Sequence, residues 1–394
     1  MLQGPLFNDA VGIVTALLVI EGGILFLSQA RYSRVVFKYL PSMFWIYFLP
    51  MLANTFGLIP RESATYDHIR NYCLPASLVL LLISVDILAI AKLGKVALAV
   101  MLAGTAGILL GGPIVYLIFK SHLPSDFWMG FGALSASWTG GSANMIAVKE
   151  GLKAPDAVFL PMVVVDTICP YMWMGLLILL AGYQKPLDRL LKADSSIVEH
   201  LTRQANSTQR LESPLTLEHI AGMLALAAAA TFVSIRLANQ LPVVKNMFNA
   251  SSWTIIVVTG LAIALSFTPL RRLENYGASK LGYALLYFVL ASIGAKTSLT
   301  HLASAPLLIV AGFIWIAIHG VFILAAGRLL RAPMSLMAAA SQANIGGTAS
   351  APVVAEVYQM GLAPVGLLLA VLGNIIGTYA GFLCSHLCHF VEKW

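Results

Sequence analysis

With 394 residues, 59% of them hydrophobic and only 10% charged, the chain cannot be an ordinary soluble domain, in which roughly a quarter of residues are charged. Long apolar stretches recur from one end to the other, so neither a cleaved signal peptide nor a single anchor accounts for them; the composition is that of a polytopic membrane protein. The formal charge of +7 takes a membrane explanation: Lys and Arg cluster in loops, as on an inner leaflet, and no basic patch interleaved with aromatics argues for nucleic acid.

In chain order, apolar segments near 6–28, 40–58, 73–91 and 97–119 are each long enough for a hydrocarbon core of about 30 Å at about 1.5 Å per helical residue. A glycine-broken segment at 127–149 follows, then a span at 155–182. Residues 183–215 are the one long polar interval, with Lys185, Asp188, Arg189, Lys192, Asp194, Glu199, Arg203, Arg210 and Glu212. The second half repeats the plan: spans near 217–237, 252–268, 279–295 and 303–327, a broken segment at 335–357, and a last span at 364–389. The expected division is therefore a first transmembrane repeat over 1–182, a cytoplasmic linker over 183–215 and a second repeat over 216–394.

The broken segments carry the repeat. Laying 135–150 over 341–356 without a gap matches six of sixteen positions, among them Gly140/Gly346, Gly141/Gly347, Ala143/Ala349 and Glu150/Glu356, and pairs Ser142 with Thr348. Paired glycines flanked by Thr139, Ser142 and Asn144 in one copy, and by Asn344, Thr348 and Ser350 in the other, would break a helix at membrane depth. The break frees backbone groups that need a polar partner such as an ion or a solute. The competing reading is close helix packing through small residues.

Charge arbitrates the topology. If both broken segments cross, twelve spans divide Lys and Arg fourteen to ten; if both are re-entrant hairpins, ten spans divide them fifteen to nine. The larger bias puts both termini outside and the linker in the cytoplasm. Five spans per half then make the second half an inverted copy, with the two hairpins entering from opposite faces. The expected fold is all-α, two inverted five-span repeats, each with a glycine-broken re-entrant hairpin.

The TGGSAN and NIGGTASAP segments, the Ser84-Val85-Asp86 followed by Lys92-Leu93-Gly94, and the two-half plan resemble the DUF819 (YjcL-like) membrane proteins over nearly the whole chain. That family is similar, more distantly, to sodium-coupled glutamate and citrate symporters. The resemblance implies a secondary transporter of a small anionic solute, coupled to Na⁺ or H⁺, working as a homodimer in a bacterial plasma (inner) membrane. It does not identify the solute.

Ionisable groups inside a span are costly and default to function. Asp166, midway along 155–182, is the sharpest, and Asn374 stands at the corresponding place of the last span; together their oxygens suit a Na⁺. Asp86 and Glu21 lie near span ends, where snorkelling or pairing competes with function. His319 invites a proton-relay reading against that of a hydrogen-bonded core histidine. The run Cys384-Ser385-His386-Leu387-Cys388-His389 matches no standard zinc spacing, and with Cys73 and Cys169 the cysteines form no evident disulfide framework. The Gly-x-Gly-Asp context of intramembrane aspartyl proteases is absent around Asp86 and Asp166, and no Walker loop occurs, so no enzyme is expected. Two half-hairpins whose helix N-termini point inward suit carboxylates such as amino acids, short peptides or organic acids. The solute site is then expected at Thr139, Gly140, Gly141, Ser142, Asn144, Asn344, Gly346, Gly347, Thr348 and Ser350, and the cation at Asp166 and Asn374. A channel or membrane sensor built from the same broken helices is the alternative.

Overall fold

The computed structural model describes residues 5–30, 36–37, 42–205, 214–243, 249–297 and 305–393. Arg210 and Glu212 of the expected linker, and most of the loop near 29–39, lie outside the described residues. Among the described residues every regular element is helical. The helices are α1 (Ala10–Gln29), α2 (Ser42–Thr55), α3 (Ala64–Ile83), α4 (Ile87–Ala91), α5 (Gly94–Phe119), α6 (Phe127–Gly140), α7 (Ser142–Leu152), α8 (Asp156–Ala181), α9 (Gln184–Leu191) and α10 (Ser196–Ala205). The later ones are α11 (Leu217–Ala238), α12 (Ala250–Ser266), a 3₁₀ segment (Pro269–Tyr276), α13 (Ala278–Lys296), α14 (Ala305–Leu330), α15 (Met334–Ile345), α16 (Gly347–Tyr358) and α17 (Ala363–Glu392).

Among the described residues, seven helices are long and apolar enough to cross a membrane, or up to eight if α12 and its 3₁₀ extension, bent by 94°, count as one span. Exposed apolar residues such as Val11, Val19 and Phe26 on α1 give these helices a surface suited to lipid. The protein is thus an all-α polytopic membrane protein.

One sequence expectation needs correction. The segment 73–91 is not one span: α3 starts earlier, at Ala64, and ends at Ile83. There the Ser84 hydroxyl donates back to Leu80 O at 2.8 Å, and Asp86 Oδ1 accepts Ala89 N–H at 3.0 Å to start α4. These side chains offer the backbone an alternative to a continuous helix. Of the segment 40–58, the described residues give a helix over Ser42–Thr55 with Pro50 inside it, about 21 Å at the helical rise; residues 38–41 lie outside the described residues.

The chain divides into two compact units, each drawing on both sequence halves. One comprises 1–84, 154–163 and 213–305. Within it α13 packs on α2 and α3. Gly282 lies against Leu80 and Leu81, Gly294 against the Tyr47 carbonyl, and Tyr47 donates to Thr297 Oγ1 at 2.8 Å. Leu80, Met223, Ala227 and Ala278 form a buried cluster there. Lys296 meets Asp67 at 3.3 Å.

The other unit comprises 85–153, 164–212 and 306–394, and it holds both glycine-broken segments. α17 packs against α6 along small residues four apart: Gly373, Gly377, Gly381 and Ser385 face Gly140, Ala136 and Gly132, the small-residue spacing that lets backbones approach closely. A ring column of Tyr116, Phe131, Trp315 and Trp138, with centroids 5.1 to 5.3 Å apart, ties α6 to α5 and α14. Trp315 Nε1 donates to Ile108 O at 2.8 Å.

The expected linker is not merely polar coil. Its described part forms α9 and α10, and it docks within this unit: Asp188 Oδ1 accepts Met334 N–H at 2.7 Å and so caps α15. Asp194 N–H donates to Arg331 O at 2.8 Å. The Ser196 hydroxyl donates to the Asp194 carboxylate and holds it below its usual range.

Candidate functional site

The first broken segment is a hairpin. Along α17, Gly132 and Ala136 of α6 lie beside Gly381, and Gly140 lies beside Gly373 and Gly377; on α7 the order reverses, Asn144 beside Gly377 and Val148 beside Gly381. α7 therefore retraces α6. The turn is Gly141, at φ 84° and ψ 178°, a region essentially reserved for glycine. Its partner in the repeat, Gly347, has φ 66° and opens α16, which packs back on α15. Both copies thus give their second glycine a positive φ.

The first glycines act differently from the second. Neither Gly140 nor Gly346 has positive φ. A Cβ on Gly140 would overlap Gly373 O and Asn144 Nδ2, and one on Gly346 would overlap Gln342 and Ser350. For Gly140 the close-packing explanation holds.

The asparagines both donate from Nδ2 but differ at Oδ1. Asn144, 2% exposed, donates from Nδ2 to Gly140 O at 2.6 Å and accepts at Oδ1 from the Thr378 hydroxyl at 2.5 Å, so both of its amide atoms are paired. Asn344, fully buried, donates from Nδ2 to Thr105 Oγ1 at 3.0 Å. The Thr105 hydroxyl itself donates to Met101 O at 3.2 Å. That leaves Asn344 Oδ1, like Thr139 Oγ1, buried without a hydrogen bond among the described residues. Ser350 accepts from Gln342 Nε2 at 2.8 Å across the second hairpin.

Ser142 and Thr348 stand half-buried at the opening turns of α7 and α16, and neither helix has a side-chain N-cap. Their first N–H groups have no intrahelical partner. Asn374 lies close to the first tip, its Oδ1 3.7 Å from where a Cβ of Gly141 would be. Asp166 lies beside Ser137 and Trp138, on the turn before that tip. The structure therefore gathers Asp166 and Asn374 around the first hairpin.

Other candidates fall elsewhere. His319 is buried in a network: Trp173 Nε1 donates to Ser341 Oγ, the Ser341 hydroxyl meets His319 Nε2, and His319 Nδ1 meets Gly104 O, each at 2.9 Å. Donors and acceptors balance with Nδ1 protonated and Nε2 accepting, so His319 ties α14 to α5 and α15. Glu21 is buried in the other unit, with Oε2 unpaired among the described residues. Asp86 caps α4 as described. Cys384 and Cys388 are buried in α17, and His389 stacks on Trp128 with ring centroids 4.4 Å apart. Among the described residues no group of three or more His, Cys, Asp or Glu is placed to hold a metal.

Sequence reasoning missed Thr105, Thr378, Ser341 and Trp173, whose roles appear only when distant helices meet. Lys149 is buried in α7 and pairs with Glu150 at 2.7 Å. The glycine spacing on α17 was legible in the sequence as a four-residue small-residue pattern. Glu356, matched to Glu150 by the repeat, accepts Gly361 and Ala363 N–H at 3.0 and 3.2 Å and caps α17.

Comparison with known proteins comes to the same group as the motifs. The chain is 28% identical over 351 residues to the "Uncharacterized membrane protein YjcL" of Bacillus subtilis (strain 168), covering 84% of this chain and 85% of the relative. The model of the family described as "Protein of unknown function (DUF819)" matches residues 16–390, and the chain belongs to that family.

Proposed function

We propose that this protein is an ion-coupled secondary transporter of a small anionic organic solute, an amino acid, short peptide or other carboxylate, in a bacterial plasma membrane. The observation that carries the reading is the matched pair of breaks: α7 and α16 each start at a glycine-glycine turn with no side-chain cap. An uncapped helix start carries free N–H groups and the positive end of the helix dipole, which favour a carboxylate. Ser142 and Thr348 add hydroxyls at equivalent places.

In this reading the two hairpins are re-entrant. None of α6, α7, α15 and α16 exceeds 14 residues, so none reaches across about 30 Å alone. Ten spans then form two inverted halves joined by the cytoplasmic linker, and two copies of the chain associate. Asp166 supplies a counter-charge for the coupling ion, Na⁺ or H⁺, with Asn374 as its neutral counterpart behind the first tip.

A metabolite-depletion screen on cells expressing the protein tests the substrate class. The expected result is depletion of one or a few carboxylates from the medium, lost in Gly141→Val. Uptake confined to cations or neutral sugars would contradict the proposal.

A further inference from the structure

We infer that the two incoming hairpin arms, α6 and α15, hold an alkali cation of the Na⁺ class through the side-chain oxygens of Thr139 and Asn344. The inference rests on the transport reading above and deepens it by moving a cation onto residues that the motif alone assigns to solute.

Thr139 and Asn344 are each the last residue but one of their helix, α6 ending at Gly140 and α15 at Ile345. A helix C-terminus is the negative end of the dipole and favours a cation. Both side chains are fully buried, and each keeps one oxygen without a hydrogen bond among the described residues. Such an oxygen, left unsatisfied, keeps the desolvation penalty of its burial with nothing to offset it.

The amide orientation of Asn344 follows from its neighbours. Because the Thr105 hydroxyl proton goes to Met101 O, Thr105 Oγ1 accepts from Asn344, and the amide nitrogen must be the group facing it. Oδ1 is thereby left as a pure acceptor. The same turn of α5 connects the second residue: Gly373 packs against both Thr139 O and the Met101 methyl, while Gly104 packs against Asn344 Oδ1. Asn344 thus lies against Gly104 and Thr105 of α5, and the Thr139 carbonyl shares Gly373 with the tip of the Met101 side chain. Oxygen donors from a hydroxyl and an amide, each beside the negative end of a helix, suit a hard monovalent cation. Asn144, at the start of an outgoing arm, has both amide atoms paired; among the described residues of the two hairpins the buried side-chain oxygens without a hydrogen bond, those of Ser135, Thr139, Ser335, Gln342 and Asn344, all stand on the incoming arms.

The test is thermal unfolding of the purified full-length protein without solute, in NaCl, KCl or choline chloride at equal ionic strength. The expected result is a saturable, Na⁺-selective rise in Tm in the wild type. In Asn344→Ala and Thr139→Val the Na⁺ concentration for half-maximal stabilisation rises at least about tenfold. Asn344→Asp, which keeps an oxygen, retains the response, and Tm in choline separates a folding defect from a binding defect. Equal Tm in all three salts overturns the inference, since a bound water would satisfy the oxygens without cation preference. So does a Na⁺ response that survives both Asn344→Ala and Thr139→Val but is lost in Asp166→Asn; that outcome would leave the transporter reading standing. Solute uptake is measured separately, so its absence would sink that reading whatever the Tm shows.

Discussion

The Thr378 hydroxyl donates to Asn144 Oδ1 at 2.5 Å, joining residues 234 positions apart and fastening the first hairpin to α17. Asn144 Nδ2 closes the other side of the clamp on Gly140 O at 2.6 Å. One amide thus holds the break between α6 and α7 in shape and holds it against the last helix. We expect Thr378→Val to leave Asn144 Oδ1 buried and unpaired at a cost of about 1–3 kcal/mol. Solute uptake should fall more than membrane insertion, measured as uptake per inserted protein, whereas Thr378→Ser should restore most of it. Equal uptake in Thr378→Val and wild type would show that the clamp is not needed.

The four tip glycines should separate by cause. Gly141→Ala must leave a conformation open essentially to glycine, costing about 1–3 kcal/mol. Gly347 has positive φ but no atom within 4 Å of a would-be Cβ, so Gly347→Ala should cost only about 1 kcal/mol. Gly140→Ala should be severe for the different reason that it drives α6 from α17. The order of uptake should be Gly347→Ala above both Gly141→Ala and Gly140→Ala. A reversed order would refute the assignment of roles.

The linker gives a prediction about sidedness and anchorage. Single cysteines at Lys185 or Lys192, both exposed, should react with an impermeant reagent only from the cytoplasmic side. Labelling from outside would sink the ten-span topology. Asp188→Ala should remove the cap on α15 and cost about 0.5–2 kcal/mol, read as a lower Tm.

Much of this arrangement was legible in the sequence because it is local. Span positions followed from apolar length, and the repeat of Gly140-Gly141 in Gly346-Gly347 located both hairpins. What was not legible depends on packing between distant segments. Nothing near Thr105 announces that it receives Asn344, and nothing near Asp188 announces that it caps Met334. The expected span over 73–91 failed because Ser84 and Asp86 hydrogen-bond locally, a competition that hydropathy does not register. The division into two compact units cuts across the sequence halves and depends on contacts no repeat alignment contains.

Asp166 should set ion dependence and not solute shape. Asp166→Asn removes the charge beside Ser137 and Trp138 while keeping size, so the dependence of uptake on Na⁺ or H⁺ should weaken far more than the apparent affinity for solute. Unchanged ion dependence in that variant, measured in proteoliposomes with imposed gradients, would reduce Asp166 to a packing residue.

The central claim, that the protein is a carrier, is tested most directly by counterflow. Proteoliposomes preloaded with the unlabelled solute found in the depletion screen are diluted into a trace of labelled solute, with no ion gradient. The account predicts transient accumulation of label above its equilibrium level, abolished in Gly141→Val. Label that only equilibrates, without overshoot, would mean a channel and contradict it.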